Sequence, residues 1–198
     1  MSQEKMSEDF QDLVNLSVFV DMAKAIASAT TIEDTLNEVM NQISQFFAPL
    51  NWSVMLRDSS TGDLKFIIAT GKDSDQLTKV RLPKGTGIAG WIVEHGRSVI
   101  VEDVHTDERF DPTIDQLTGF ETKSIIGVPL KSGNKVFGVI ELVNRIDGRP
   151  FTPFELKVLT TIADFAAIAI EKAYYFRALK KLATIDPLTG VCNRRTFQ

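Results

Sequence analysis

The chain has one cysteine, Cys192, and two histidines, His95 and His105, in 198 residues. A single cysteine rules out an intrachain disulfide and fits a reducing compartment, so the cytoplasm is the expected location. Two histidines far from any cysteine pair supply no zinc ligand set, and no Ser/His/Asp grouping has the logic of a hydrolytic triad. An excess of basic residues is also lacking. The 22 Lys and Arg stand against 26 Asp and Glu, a formal net charge of -4, so nucleic acid is not expected as a partner. No window of about eighteen apolar residues is free of charge, so no membrane span is expected. The polar, acidic start at 1–9 has no signal-peptide core. What is present is 43% hydrophobic and 24% charged, an ordinary globular composition able to form one sizeable core.

Apolar spacing predicts helices at both ends. Over 10–29, Leu13, Leu16, Val20, Ala23 and Ala27 form one seam, and Val14, Val18, Met22 and Ala25 lie on a second face. A helix with two apolar faces is buried twice, once on its own domain and once on a partner. Thr31 with Asp34 opens a second helix to Phe47, striped by Ile32, Leu36, Val39, Met40, Ile43 and Phe46. Near the other end, Thr152, Pro153 and Glu155 make a capping-box start for a helix running to Ile185, roughly 50 Å long at the α-helical rise. Leu156, Leu159, Ala163, Ala166, Ile170 and Ala173 form its seam, and Ile162, Phe165, Ala169 and Phe176 a second face. The small residues of the seam suit close approach of a partner helix. The expectation is a homodimer bundle, parallel or antiparallel, through the terminal helices.

Between these helices the pattern is β. Strand-like runs occur at Asn51–Arg57, Leu64–Thr70, Lys79–Leu82, Ser98–Val101, Ser124–Lys131 and Lys135–Asn144, with turn chemistry at Asp58–Asp63 and at Ser132-Gly133-Asn134. Gly85 and Gly87 turn the chain into a short helix, 88–94, which Gly96 stops. Hairpin-linked strands with helices at both ends argue for an α+β fold with a six-stranded antiparallel sheet, flanking helices and a long C-terminal helix. The crossover Glu102–Lys123 is a polar connection of about twenty residues, a length that is usually functional or disordered. It carries its own apolar residues, Phe110, Ile114, Leu117 and Phe120, so it reads as a folded cover over the sheet, where a small ligand can be enclosed.

Four blocks in order carry a family resemblance: Gly85-Thr86-Gly87-Ile88-Ala89-Gly90-Trp91, Val101-Glu102-Asp103-Val104, Lys123-Ser124-Ile125-Ile126-Gly127-Val128-Pro129-Leu130, and Gly138-Val139-Ile140-Glu141-Leu142-Val143-Asn144-Arg145. On these blocks, residues 31–171 resemble a GAF domain. That family consists of small-molecule sensors and dimerisation modules. Within it the chain is most similar to the regulatory GAF domains of cyclic-nucleotide phosphodiesterases. Their Asn-Lys and Phe-Asp-Glu signature corresponds here to Asn144, Arg145, Phe154, Glu155 and Leu156; Leu156 replaces the last acid, and the resemblance implies a bridge between Arg145 and Glu155. It further implies a ligand pocket at Ser53, Ile88, Ala89, Asp115, Thr118, Thr122 and Glu141, whose types match those of cyclic-GMP-binding members. Ala69, Thr70 and Asp111 do not match the Phe, Asp and Tyr of that pattern. Phe110 or Phe66 is the candidate for the missing stacking face, which is worth about 1–3 kcal/mol by analogy with base stacking. The backbone N–H groups of Ile88 and Ala89, at a helix start, suit a phosphate. The alternative is that the Thr and Asp residues cap turns of the crossover and that Glu141 is a solvated sheet residue.

Asp186-Pro187-Leu188-Thr189-Gly190-Val191-Cys192-Asn193-Arg194-Arg195-Thr196-Phe197-Gln198 resembles the opening of a GGDEF domain, whose dimers make cyclic di-GMP from GTP. The catalytic loop of that family is not in the chain, so no cyclase activity is expected of it. The expected organisation is a dimerisation helix at 1–30, a GAF sensory domain at 31–171, a linker helix at 172–185 and the start of a GGDEF domain at 186–198. No cofactor is required. A cyclic nucleotide is the candidate ligand, and GTP with Mg belongs only to the GGDEF domain. A small metabolite, cyclic di-GMP, or a ligand-free structural dimerisation module are the alternatives. His95 and His105 read as solvated or capping residues, and Asp107-Glu108-Arg109 as a charged exposed turn. Cys192 lies outside the pocket region, so covalent bilin attachment is excluded.

Overall fold

The computed structural model describes residues 47–71 and 74–184, with side chains through Phe176 and at Leu179, together with Val20, Ile32, Leu36, Asn37, Met40 and Ile43. Apart from Val20, which is helical and exposed, the expected helix at 10–29 lies outside the described residues, as do Val39, Phe46 and 186–198. The strands are β1 (Pro49–Arg57), β2 (Leu64–Ala69), β3 (Arg81–Leu82), β4 (Val99–Val101), β5 (Ile125–Ser132) and β6 (Lys135–Arg145). Among them stand α1 (Ser74–Leu77), α2 (Gly87–His95), a 3-10 turn at Val104–Thr106 and α3 (Thr113–Thr118), and α4 (Pro153–Thr184) follows. The six strands form one antiparallel sheet in the order β3-β2-β1-β6-β5-β4. The four-residue helix α1 had no periodic signal in the sequence, being shorter than one full amphipathic repeat.

Each central strand is buried on both faces, which is why β6 reads as an apolar run with one polar interruption. Alternation divides its residues between two cores. Trp52 and Val54 of β1, Ile126, Val128 and Leu130 of β5, and Ile140 and Leu142 of β6 face a helical layer. That layer holds the helical residues Ile32, Leu36, Met40, Ile43 and Phe47 and the inner face of α4. On the other face Met55, Val139 and Ile125 pack with Ile88, Ile92 and Val93 of α2, Val104 of the crossover and Phe66 of β2.

The start of α4 is a full capping box. Thr152 Oγ1 accepts from the Glu155 amide at 3.2 Å, and Glu155 Oε2 accepts from the Thr152 amide at 2.7 Å and from its hydroxyl at 2.9 Å. Glu155 Oε1 takes the Arg145 guanidinium, so the same carboxylate ties the end of β6 to the start of α4. The seam expected to face a partner lies elsewhere. Leu159, Ala163, Ala166 and Ile170 are fully buried in the chain's own core. Their spacing is that of any amphipathic helix, and the sheet uses that face first, each buried Leu or Ile contributing roughly 1.5–3 kcal/mol. The large apolar side chains exposed on α4 are Phe154 at its start and Ile168, Tyr174, Tyr175, Phe176 and Leu179 further along. Among the described residues no helix is long and apolar enough to cross a membrane.

Asn144, at the end of β6, is buried and has φ 50°, in the left-handed region that Asn tolerates better than most residues. Its Oδ1 accepts from the amides of Lys123 at 2.7 Å and Ser124 at 3.0 Å, and its Nδ2 donates to the Glu121 carbonyl at 2.9 Å. Asn144→Ala should lower stability by about 2–3 kcal/mol in urea denaturation, since buried amides lose their acceptor. Asn144→Gly should cost about 1 kcal/mol less than Ala, because Gly adopts positive φ without strain. Equal losses would show that backbone conformation contributes nothing at this position.

Candidate functional site

The sheet's second face supports a cavity of about 330 Å³, roofed by the crossover and by the start of α2. Strand register lays out its floor. Glu141 of β6 lies opposite Ser53 of β1 on one side and Gly127 of β5 on the other. One pleat repeat along, Val143 lies between Asn51 and Ile125. Gly127 bears no side chain where one would collide with the Ile92 side chain, and this leaves room beside it for the Glu141 side chain.

The helix α2 forms one wall. A Cβ on Gly90 would overlap the Gly85 backbone, so the turn from Gly85 into α2 closes tightly and sets Ile88 and Ala89 against the cavity. Its N-cap, Thr86, is extended and makes no side-chain cap hydrogen bond. The first turn of α2 therefore presents backbone N–H groups and the positive end of a helix dipole to the cavity wall.

The crossover is folded by its own polar residues. The Val104 amide donates to the Lys123 carbonyl at 2.9 Å and closes its base. The Asp111 carboxylate accepts from the Thr113 amide at 2.8 Å, at the start of α3. The Asp115 carboxylate accepts from both the amide and the hydroxyl of Thr122, at 2.7 and 2.6 Å. Thr118 Oγ1 donates to the Ile114 carbonyl at 2.8 Å and accepts from the Phe120 amide at 3.3 Å. Asp107 and Arg109, expected as part of an exposed turn, form a half-buried two-contact ion pair, and the Arg109 guanidinium lies 4.5 Å from the Trp91 ring. This cation–π contact clamps the crossover onto α2. Hydrogen bonding to Arg109 holds the Asp107 carboxyl below its ordinary range.

All eight residues singled out as ligand-binding, Ser53, Ile88, Ala89, Phe110, Asp115, Thr118, Thr122 and Glu141, line this one cavity. Thr70 and Asp111 line it too, and Ala69 is not among the lining residues. Thr70 Oγ1 accepts from the Trp52 amide at 2.9 Å, so it extends the β1–β2 pairing. Phe66 and Phe110 both reach the cavity, joined by Phe120. Asn51 and Val143 were not singled out from the sequence, and Phe120 was named there only as an apolar residue of the cover. For Asn51 and Val143, period-two alternation from Ser53 and Glu141 was the available signal. Asn144, Arg145, Phe154 and Glu155 lie away from the cavity: the first two with Glu155 make the ties already described, and Phe154 is 41% exposed. His95 is exposed and stacks on Trp91, and His105 sits in the 3-10 turn with its ring edge-on to Phe110.

Glu141 differs from every other polar group here. It is 9% exposed, not a solvated sheet residue, and its Oε1 is buried without a hydrogen-bond partner. Burial pushes its carboxyl up to about 7. The arrangement offers binding chemistry: an apolar slot with aromatic walls, a helix start at one side and one unsatisfied acid at the floor. Among the described residues no group of His, Cys, Asp and Glu could hold a metal ion.

Comparison with known proteins agrees with this architecture. The profile of the GAF domain family matches residues 31–170. The dual 3',5'-cyclic-AMP and -GMP phosphodiesterase 11A of Takifugu rubripes is 31% identical over 177 residues, which cover 88% of this chain and 18% of that protein. The dual 3',5'-cyclic-AMP and -GMP phosphodiesterase 11 of Drosophila melanogaster is 36% identical over 109 residues, 54% of this chain and 8% of that protein. The chain thus spans less than a fifth of the length of these curated relatives. Among solved structures, the GAF domain of an Acinetobacter phosphoenolpyruvate-protein phosphotransferase superposes with a TM-score of 0.72 at 21% identity, covering 83% of this chain and 98% of that one. The free methionine-R-sulfoxide reductase of Neisseria meningitidis, solved with its substrate, superposes with a TM-score of 0.69 at 19% identity, covering 83% and 93%. These two likenesses establish the fold.

The buried acid makes stability depend on pH with a definite sign. The folded chain binds a proton at Glu141 up to about 7, whereas the unfolded chain releases it near 4.5. Stability from this group is therefore full below the unfolded value and is lost as pH rises through the folded one. Its full size is at most roughly 3 kcal/mol. In urea denaturation, Glu141→Gln should gain on the unsubstituted chain between about pH 5 and pH 8 by up to that amount. A difference that stays constant with pH would show that Glu141 is ionised in the fold throughout.

Proposed function

The chain belongs to the GAF domain family, and on that premise we propose that its cavity is a sensor pocket for a cyclic nucleotide. The observation that carries this reading is the composition of one enclosure. Aromatic faces from Phe66, Phe110 and Phe120, the open first turn of α2 and the floor row Ser53–Glu141 all meet there. Cyclic nucleotides need a flat apolar slot for the base, polar partners for its edge and a site for one phosphate charge. Here the slot is the aromatic set, and the phosphate site is the backbone of Gly87, Ile88 and Ala89. Similarity to phosphodiesterases that act on cyclic AMP and cyclic GMP supports the choice of ligand.

In the same proposal the domain works within a dimer, and the residues that meet a second copy are those α4 leaves exposed. Phe176 is 69% and Leu179 64% exposed, on a helix that extends beyond the sheet's own cover. The resemblance of 186–198 to a GGDEF opening gives the output: a cytoplasmic diguanylate cyclase, turning GTP into cyclic di-GMP with Mg, whose catalytic domains are set in or out of register by α4. The chain's organisation follows as a dimerisation helix at 1–30, the sensor at 31–171, a linker to 185 and the output domain from 186.

A second reading, a ligand-free dimerisation module, has one observation in its favour. The side chains of Asp115, Thr118 and Thr122 are already hydrogen-bonded within the crossover.

A thermal-shift panel with cyclic GMP, cyclic AMP, cyclic di-GMP and GTP separates the two. A ligand at a hundred times its dissociation constant should raise Tm by roughly 5–10 °C for a domain of this size. Thr122→Ala, which keeps the backbone amide on Asp115, should weaken that shift. No shift with any of the four would favour the module. In sedimentation velocity, Phe176→Glu with Leu179→Glu should shift the chain toward the monomer, and an unchanged dimer would place the interface elsewhere.

A further inference from the structure

Three carboxyl groups line the cavity among the described residues, Glu141 from the sheet and Asp111 and Asp115 from the crossover, and no lysine, arginine or histidine accompanies them. The two aspartates already serve the crossover, Asp111 through the Thr113 amide and Asp115 through the Thr122 amide and hydroxyl. Glu141 serves nothing comparable. Its strand neighbours are Ser53 and Gly127, α2 packs Ile92 above Gly127, and its Oε1 has no partner. Among the described residues no cation lines the cavity beside it from the sheet, from α2 or from the crossover.

A buried carboxylate with neither a counter-charge nor a donor is the costly form of this side chain. The neutral acid avoids that cost and holds one proton to give. The form also decides what the cavity accepts. An ionised Glu141 would add a third negative charge and favour cationic amines. A neutral one turns the floor into a hydrogen-bond donor facing an enclosure whose α2 wall already favours negative charge.

Resting on the reading of this cavity as the ligand pocket, we propose that Glu141 enters the complex as the neutral acid and donates its proton to an acceptor atom of the ligand, a carbonyl or phosphoryl oxygen or a ring nitrogen. Glu141 is then a specificity-determining residue. It selects acceptor-rich, neutral or anionic heteroaromatic ligands, such as oxopurines and their cyclic phosphates, over amine-bearing cations. Binding carries a proton with it, so affinity falls as the solution takes that proton away.

Calorimetric titration of the whole chain with cyclic GMP, and separately with the uncharged base guanine, tests this from about pH 6 to pH 9. Above the titration of Glu141 the dissociation constant should rise about tenfold per pH unit. Glu141→Gln keeps a neutral donor and should bind with nearly unchanged affinity at low pH, with the pH dependence removed. In glutamate-δ-¹³C NMR of the free protein, the resonance missing from Glu141→Gln should lie at an acid's position at the low end of that range. A carboxylate resonance there, or binding whose pH dependence is the same with and without Glu141, overturns the proposal. Guanine binding with the expected pH dependence while cyclic GMP fails here and cyclic AMP gives no thermal shift would overturn the cyclic-nucleotide reading alone. Cyclic GMP binding that is flat with pH would overturn the role of Glu141 alone. Failure of every probe at every pH overturns both.

Discussion

The crossover stays over the sheet because Asn144 holds its end down. Three side-chain hydrogen bonds run from this residue to the backbone at Glu121, Lys123 and Ser124, and its own amide donates to the Ser124 carbonyl. They replace the ladder that a strand would supply where the chain leaves the crossover and enters β5. Left-handed backbone at Asn144 is what points the side chain back at that segment, and only a short polar residue or glycine accepts it cheaply. The next residue, Arg145, reaches the carboxylate that caps α4. Two consecutive positions thus join the cover of the cavity, the end of the central strand and the start of the long helix. A change in how the crossover sits has a short mechanical route to α4 through this junction.

The sheet itself is the other route. Along β6 the side chains alternate between the cavity and the helical layer. Glu141 and Val143 face one, Ile140 and Leu142 the other, and the latter two are fully buried. A dense interior does not absorb displacement at a single residue, so a shift of β6 at the cavity is passed to its neighbour β5, the strand on which α4 chiefly packs, and to the core that both share with Leu159, Ala163 and Ala166. What a ligand can accomplish along either route is limited by its differential affinity for the two arrangements, however tightly it binds.

Much of this was legible in the sequence, and the reason is local physics. Strand alternation, the turn at Asp58–Asp63, the glycine entry into α2 and the Thr152/Glu155 capping box depend on neighbours a few residues away, and each appears where its pattern put it. What was not legible concerns partners brought together from a distance. The apolar seam of α4 has the same spacing whether it meets a sheet or a second helix, and here it meets the sheet. The residues of the cavity could be named one at a time from the family resemblance. Their hydrogen-bond accounts could not, since Asp115 meets Thr122 only once the crossover has closed. Arg109 looked solvated for the same reason: its aromatic partner, Trp91, is on another element.

Glu141 shows most clearly how a fold confers chemistry on a residue that sequence alone leaves ordinary. A glutamate inside an apolar strand can point to solvent or to the core, and alternation from Ile140 and Leu142 sends it to the side opposite the helical layer. That side would be solvent in a bare sheet. It is interior here because the crossover and α2 cover it, and these in turn are held by Asn144, by Arg109 on Trp91 and by the tight Gly85–Gly90 turn. The cover therefore does more than enclose volume. It removes water from a carboxyl that has no cation beside it among the described residues, and so raises the carboxyl's affinity for a proton at the cavity floor. Anything that loosens the cover readmits water, restores an ordinary acid and returns negative charge to the floor. On the proposal made above, closure of the crossover and a preference for acceptor-bearing ligands are one property, because the same desolvation produces both.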